Sequence, residues 1–342
     1  MSGNVLCDSI RSMIRPGRPV AYVDLPTYLN IGDSLIALGG LRAIRGIRSK
    51  FRTRVYGNEP DWGYLSALNR ACGTILINGG GNFGSLWPRH QRLKEAILQR
   101  CPKARVIQLP QSIHFESASD AERAFGVCRR HHDFILCVRD HSSHELASQH
   151  GVPDVRLSRD TATWIDLGRP KPSSLEVMLM LRRDSERSRH VDVDDRLSHF
   201  GPVARGDWAR YSDLPPHVAR WRLSLESALF RSARVWTGRG EFMGGIGRAL
   251  VLFRNRLEIG RECVSFGRVV VTDRLHVHIL CREIGHPHVF LDNSYGKLRG
   301  YSKAWRTESE ISVHAATAED VETAVGALLN RSGSSGRIMK AA

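Results

Sequence analysis

Residues 271–301 read VTDRLHVHILCREIGHPHVFLDNSYGKLRGY, and the pattern predicts a strand, a helix, a second strand and a loop. The β-branched run Val269 to Thr272 suits a short strand, and HVHILCREIG has the length of a helix closed by Gly285. PHVFLD follows as a second strand, and DNSYGK, rich in Asn, Ser and Gly, as a turn. In a parallel sheet the loops at the carboxyl ends of the strands converge on one crevice. Arg274, His276 and Lys297 are therefore expected to share a pocket. Two fixed cations beside one titratable imidazole suit a small dianion that must also gain or lose a proton.

The same alternation extends toward the amino terminus. VAYVDL leads through LNIGD into the helical SLIALGGLRAIRGI, and TILINGGGNFG leads into RHQRLKEAILQRC. RVIQLPQSIHF then precedes DAERAFGVCRRH, and DFILCVRD precedes SSHELASQHG. A strand, a polar or Gly-rich loop and a helix, repeated, predict a doubly wound parallel α/β sheet. The Pro-, Gly- and Ser-rich LGRPKPSS (Leu167 to Ser174) reads as a linker, after which LEVMLMLRRD, VWTG, NRLEIGRECVS, RVVVTD and HVFLDN form a second series. The expected architecture is α/β, with two Rossmann-like doubly wound parallel-sheet domains facing a cleft. Residues 1–170 form the first domain and 171–315 the second. Residues 316–342 hold the amphipathic helix AEDVETAVGALLNR and a disordered tail, SGSSGRIMKAA.

With 342 residues and 42% hydrophobic content, the chain can bury two cores. No run approaches the roughly 18 apolar residues of a spanning helix. The opening MSGNVLCDSIRSMIRPGRP has no continuous apolar segment, so no secretory signal is expected. Seven scattered cysteines without a CxxC pair read as small buried side chains in a reducing cytoplasm. The net charge of +15 favours anionic partners, either phosphorylated metabolites or an acidic membrane face. That charge is spread along the chain and the aromatics do not interleave with it, so nucleic acid is not the expected partner.

Three further loops are chemical candidates. In Asn30-Ile31-Gly32-Asp33-Ser34, Gly32 permits close backbone approach, and Asp33 or Ser34 suits a helix cap. In Asn78-Gly79-Gly80-Gly81-Asn82-Phe83-Gly84, four glycines in six positions favour a loop whose N–H groups meet a ligand at a helix N-terminus. It matches neither GxGxxG nor a Walker loop. LMLRRD ends a strand in Arg182 and Arg183, one of which suits a carboxylate or phosphate fork, Arg182 being preferred. His276 and His278 lie two apart, which on a helix points them to different sides, so no metal site is expected. His286 and His288 read as loop surface, and a solvated turn is the plain alternative for Lys297.

Together these motifs resemble the polysaccharide pyruvyl transferase family, over about residues 20–310. The likeness is concentrated in NIGD, NGGGNFG, LMLRRD and TDRLHVHILCREIGHPHVFLDNSYGK. The resemblance implies two Rossmann-like halves similar to GT-B glycosyltransferases. It also implies transfer of pyruvyl from phosphoenolpyruvate to a sugar of a bacterial surface or capsular polysaccharide, usually closing a cyclic ketal. By motif, Arg274 and His276 match the family's donor-site arginine and histidine, with Leu275 between them, and Lys297 matches its lysine after the last strand. Arg182 would match the arginine after the first strand of the second half. Val277 departs from the small residue many relatives carry, and a bulkier side chain there is expected to narrow the pocket.

Residue chemistry agrees with this. Phosphoenolpyruvate needs convergent cations for its carboxylate and phosphate, and its methylene carbon needs an acid. His276 is the expected acid, with Arg274, Arg182 and Lys297 holding the donor. Asn30, Asp33, Gly79, Gly80, Gly81 and Asn82 are expected on the acceptor-sugar side, Asp33 doubling as a candidate base. Segment 190–235 either shapes that side or packs as a helical insertion. No cofactor is implied. The acceptor is expected to be a sugar, with a lipid-linked oligosaccharide at the inner membrane face as one form. A GT-B-type glycosyltransferase using a nucleotide sugar, with Glu283 or Asp292 for the ribose, and a non-catalytic anion- or nucleic-acid-binding protein are the alternatives.

Overall fold

The computed structural model describes residues 3–45, 53–182, 193–209, 211–215, 218, 220–233, 235–237, 240–242, 246–293 and 296–338. Its strands are β1 (Val20–Val23), β2 (Arg54–Val55), β3 (Thr74–Ile77), β4 (Gly80–Gly84), β5 (Arg105–His114), β6 (Phe134–Val138), β7 (Val155–Leu157), β8 (Leu175–Met180), β9 (Val203–Gly206), β10 (Val235–Thr237), β11 (Gly240–Phe242), β12 (Gly267–Thr272), β13 (His288–Phe290) and β14 (Ser312–His314). Its helices are α1 (Gly3–Met13), α2 (Ile31–Ile44), α3 (Trp62–Arg70), α4 (Pro88–Arg100), α5 (Ala118–Arg130), α6 (His141–Gln149), α7 (Asp194–Leu197), α8 (Arg220–Ala233), α9 (Ile246–Ser265), α10 (Leu275–Ile284), α11 (Lys297–Trp305) and α12 (Ala318–Ile338).

Two parallel sheets carry the chain. The first has the order β2-β1-β3-β5-β6-β7, with β4 beside β5, and the second has the order β14-β13-β12-β8-β9. Runs such as VAYV, TILI and FILCV are buried at every position, because a parallel sheet is covered on both faces. In each sheet the first strand lies between the second and third, β1 between β2 and β3, and β8 between β9 and β12. Chain direction across the sheet therefore reverses at β1/β3 and at β8/β12. In open α/β sheets ligands bind beyond the carboxyl ends of such strands.

Two compact units contain these sheets. The first comprises Met1–Tyr28, Asp33–Asp166 and Ser224–Arg256, and the second Leu29–Gly32, Leu167–Leu223 and Leu257–Ala342. One change of unit falls at Asp166/Leu167, beside the Pro- and Gly-rich stretch. The exchanges of Leu29–Gly32 and Ser224–Arg256 have no marker in the local sequence. Each unit has its own core: Val23, Ile75, Val106 and Phe125 are among those buried in the first, and Val177, Val271, Val289 and Val325 in the second.

Four local expectations change. VWTG contributes β10, which pairs antiparallel with β11 outside both main sheets. Segment 190–235 supplies β9, the edge strand beside β8, and the helix α8. The last helix continues through Ile338, into the stretch expected to be disordered, since an established helix extends at low cost per added residue. His286 and His288, expected on the surface, are buried, as described below. Among the described residues no helix is long and apolar enough to cross a membrane.

Candidate active site

The reversal in the second sheet is built by hydrogen bonds between the ends of β8 and β12, where Met180 pairs with Thr272. The Thr272 hydroxyl donates to the Met180 carbonyl at 2.8 Å and accepts the Arg274 N–H at 3.0 Å. Asp273 accepts the Arg182 N–H at 2.8 Å, so its carboxylate holds backbone. These bonds fix the two chains as they leave the sheet, and they set Arg182 and Arg274 at neighbouring strand ends. Arg183 lies outside the described residues.

Arg274 occupies the N-cap position of α10 and is buried, its Nη2 donating to the Asp207 carboxylate at 2.5 Å. Asp207 follows β9, the strand on the other side of β8. It was not singled out from the sequence, because nothing local ties a carboxylate near Trp208 to an arginine 67 positions away. His276 is half-buried in the first turn of α10. Leu275 and Val277 on either side of it are buried, Val277 completely, so Val277 packs in the core and lines no open surface. His276 also explains the glycine of NIGD. A Cβ on Gly32 would lie 2.6 Å from His276 Nδ1, so only glycine lets the α2 start pass the ring. Asn30 and Gly32 belong to the second unit with His276, whereas Asp33 belongs to the first.

Lys297, expected in a turn, is the first residue of α11, which follows β13. Its N–H donates to Asn293 Oδ1 at 2.8 Å, and Gly296 before it is left-handed at φ 80°. Asp292 Oδ1 accepts the N–H groups of Asn293 at 3.0 Å and Leu298 at 3.1 Å. Because β13, β12 and β8 are consecutive in the sheet, Lys297, Arg274 with His276, and Arg182 follow the ends of three adjacent strands. Neighbouring strands are about 4.8 Å apart. The α10 N-terminus adds partial positive charge at this edge, whereas the first N–H groups of α11 are taken up by Asn293 and Asp292.

Behind that edge, His278 turns into the core. Its Nδ1 meets His288 Nε2 at 2.9 Å and its Nε2 meets Thr307 Oγ1 at 2.9 Å. His286 Nε2 bonds the Gly267 carbonyl at 2.9 Å. Burial pushes the His286 and His288 imidazoles down to about 4, and His278 well below its ordinary value with His288 adding to the effect. Among the described residues no group of three or more His, Cys, Asp or Glu is arranged to hold a metal ion.

At the reversal in the first sheet the chemistry is different. Val23 pairs with Ile77, so Asp24 and Asn78 follow adjacent strand ends. Asp24 is buried, with a positive φ of 66°. Its carboxylate accepts from Asn58 at 2.9 Å and His90 Nδ1 at 2.7 Å, with Lys94 Nζ at 3.6 Å. Lys94 also donates to Asn82 Oδ1 at 2.8 Å, as does Gln111 at 2.8 Å. Burial raises the Asp24 carboxyl, but Lys94, His90 and Asn58 together bring it below the ordinary value. Burial lowers Lys94 to about 8 despite the attraction of Asp24. Asp24, His90 and Lys94 escaped the sequence reading. The available signal was HQRLK, whose His90 and Lys94 are four apart and share a helix face.

The Gly-rich stretch is a strand where a loop was expected. Gly80–Gly84 runs parallel to β5, Gly84 pairing with His114. A Cβ on Gly84 would come within 1.7 Å of the His114 carbonyl, and its φ is 131°, so close backbone contact accounts for that glycine. The Gly84 N–H donates to Gln91 Oε1 at 3.0 Å and the Asn82 N–H to Gln111 Oε1 at 3.3 Å. These two N–H groups are bonded internally, and α4 begins only at Pro88. Gly79 and Gly80 are buried, whereas Gly81 and Asn82 are half-buried. Asp33 lies inside the first turn of α2, accepting from Tyr28 Oη at 2.9 Å, and Ser34 is buried.

Fold and site define an α/β protein of two Rossmann-like parallel-sheet units, one of them carrying Arg182, Arg274, His276 and Lys297 after three adjacent strand ends. Residues 30–295 match the family described as Polysaccharide pyruvyl transferase. The chain belongs to this family, which makes it a transferase of the class that moves pyruvyl groups to polysaccharide. Pyruvyl transferase 1 of Schizosaccharomyces pombe is 27% identical over 323 residues, covering 91% of this chain and 76% of that protein. A functionally uncharacterized protein of Klebsiella pneumoniae subsp. pneumoniae NTUH-K2044 has the same fold. Its TM-score is 0.58 at 16% identity, covering 92% of this chain and 98% of that one.

Proposed function

We propose that this chain transfers pyruvyl from phosphoenolpyruvate to a sugar of a bacterial exopolysaccharide or capsular repeat unit, forming a pyruvate ketal and releasing phosphate. The observation that carries this reading is the run of Arg182, Arg274, His276 and Lys297 at the ends of three adjacent parallel strands. Arginine forks and a lysine suit the donor's carboxylate and phosphate, and the α10 N-terminus favours the same charge. His276 protonates the methylene carbon, building cationic character at the neighbouring carbon, to which a sugar hydroxyl adds. Phosphate leaves and a second hydroxyl closes the ketal. The second unit is the donor side and the first the acceptor side, with Asp33 and Asn82 on the latter. A net charge of +15 favours work at an anionic membrane face on a lipid-linked acceptor, as a cytoplasmic or peripheral protein.

The glycosyltransferase alternative is weakened by its own candidate acids. Asp292 is engaged by backbone N–H groups of α11, and Glu283 pairs with Arg282 at 2.7 Å. The test is phosphate release from phosphoenolpyruvate with candidate saccharides, beside nucleotide release from nucleotide sugars. Acceptor-dependent phosphate release is expected. Nucleotide release alone would move the chain to glycosyl transfer. Steeply salt-dependent nucleic-acid binding with neither release would make it a binding protein.

A further inference from the structure

Among the described residues six large hydrophobic side chains are exposed, and three of them, Trp221, Leu225 and Val251, lie on the two helices α8 and α9. We infer that these helices form a docking surface for the anionic face of a lipid bilayer, an inference that rests on the peripheral-membrane part of the reading above and gives it a place in the fold.

On α8 the exposed residues are Trp221, Ser224, Leu225, Ala228 and Arg231, at the spacing of three and four that keeps them on one side. Arg248, Val251 and Arg254 repeat that spacing on α9. The opposite sides are held inward. Buried Glu226 of α8 accepts from Nε of buried Arg256 of α9 at 2.8 Å. Arg256 Nη1 reaches on to the Tyr28 carbonyl at 2.9 Å and to Ser34 Oγ at 3.1 Å. With Glu226 and Arg256 turned toward the start of α2, both exposed stripes are turned away from it. All of these residues but Trp221 belong to the first compact unit, and Trp221 stands one turn before Leu225 on the same helix.

The make-up of the stripes selects the partner. Exposed apolar side chains that gather in one place mark docking surfaces, whereas scattered ones do not. Trp221, Leu225 and Val251 are 59%, 39% and 52% exposed, so each is free to enter an apolar layer. Tryptophan favours the boundary between lipid headgroups and acyl chains, where its ring is in the apolar layer and its N–H at the polar one. The Arg222 guanidinium lies 4.4 Å from the centre of the Trp221 ring, adding a cation suited to the same boundary. Arginine stems lie along apolar surface while their heads reach for phosphate, as Arg231 and Arg254 would beside these anchors. Among the described residues none of the exposed positions on either helix is acidic. Glu258, the next acid along α9, is half-buried and paired with Arg261 at 2.7 Å. The chain as a whole, at +15, is attracted to an anionic surface. A second copy of this chain fits less well, since an isologous contact would bring one basic stripe onto another.

The test is cosedimentation of the full chain with vesicles, with neither phosphoenolpyruvate nor acceptor present. Wild type is expected to bind vesicles containing phosphatidylglycerol and not vesicles of phosphatidylcholine alone. Trp221→Ser combined with Leu225→Ser should weaken binding about 10²-fold, about tenfold for each apolar anchor. Arg231→Gln combined with Arg254→Gln should weaken it about 25-fold, about fivefold for each charge, and make it less sensitive to salt. Ile311→Ser, at an exposed apolar residue outside both helices, is expected to bind as wild type does.

Binding within about threefold of wild type by either double variant overturns this surface and leaves the peripheral-membrane reading standing. Wild type that binds neither kind of vesicle overturns both. Pyruvyl transfer is untouched by either result, because phosphate release measures it separately. Wild type that dimerises, and loses the dimer with Trp221→Ser and Leu225→Ser, gives this face to a second copy and likewise overturns the proposal.

Discussion

The two points at which the sheets reverse share a strand order and differ in charge. At β1/β3 the ionic groups answer one another: Asp24 meets Lys94, His90 and Asn58, and the cluster is nearly closed. At β8/β12 Arg182, Arg274 and Lys297 follow three adjacent strand ends among Asp207, Asp273 and Asp292, with Asp207 on Arg274 and the other two carboxylates on backbone N–H groups. Topology thus sets where the two clusters form, and the groups that follow each pair of strand ends set how they differ.

The largest test of this contrast is His276→Ala. Turnover is expected to fall about 10²–10⁴-fold with the unfolding midpoint unchanged. Retention of a normal rate would leave the cationic edge without its acid. Next, Asp207→Ala removes the carboxylate paired with the buried Arg274 head, a loss of about 3–5 kcal/mol of stability by denaturant titration. A silent substitution would mean that Arg274 does not depend on that pair.

Acid separates the two units on a smaller scale. His286 and His288 are held near 4 when folded, so between about pH 6.5 and 4 the unfolded chain binds more protons than the folded one. Their contribution is whole above that window and is lost as pH falls through it, on the order of 2 kcal/mol for each histidine by pH 5. Asp24, with its lowered carboxyl, keeps its contribution until pH falls below 3.8. Hydrogen exchange during acid titration should therefore show β12 and β13 losing protection before β1 and β3. The reverse order would contradict the assignment of neutral imidazoles to one unit and fixed charges to the other.

The smallest effect concerns Gly32→Ala, whose Cβ displaces the His276 ring. About a tenfold fall in kcat is expected, because misplacing a reacting group lowers rate even when the fold survives. Gly247→Ala, with nothing within 4 Å of the added carbon, is the control and should leave kcat unchanged.

The strand–helix alternation could be read from the chain because hydrophobic runs and Gly-marked helix ends are local signals, as in VVVT and the Gly285 cap of α10. The resemblance then pointed to residues that the sheet places on adjacent strand ends. Pairings across distance could not be read. Nothing near Asp24 announces His90, 66 positions on, and nothing near Asp207 announces Arg274. The glycines of NGGGNFG misled for the same reason, since β5, the strand that presses on Gly84, comes later in the chain. His286 and His288 looked exposed beside Pro287 because their bonds run to the distant Gly267 and His278.

The packing of Gly32 under the His276 ring has a consequence for any attempt to cut this protein in two. A fragment beginning at Leu167 would carry the arginines, the imidazole and the lysine, yet it would lack the four-residue ribbon Leu29–Gly32 that lies with them. Complementation by the separate amino-terminal piece, or a permuted gene that restores the ribbon, would be needed to rebuild that wall.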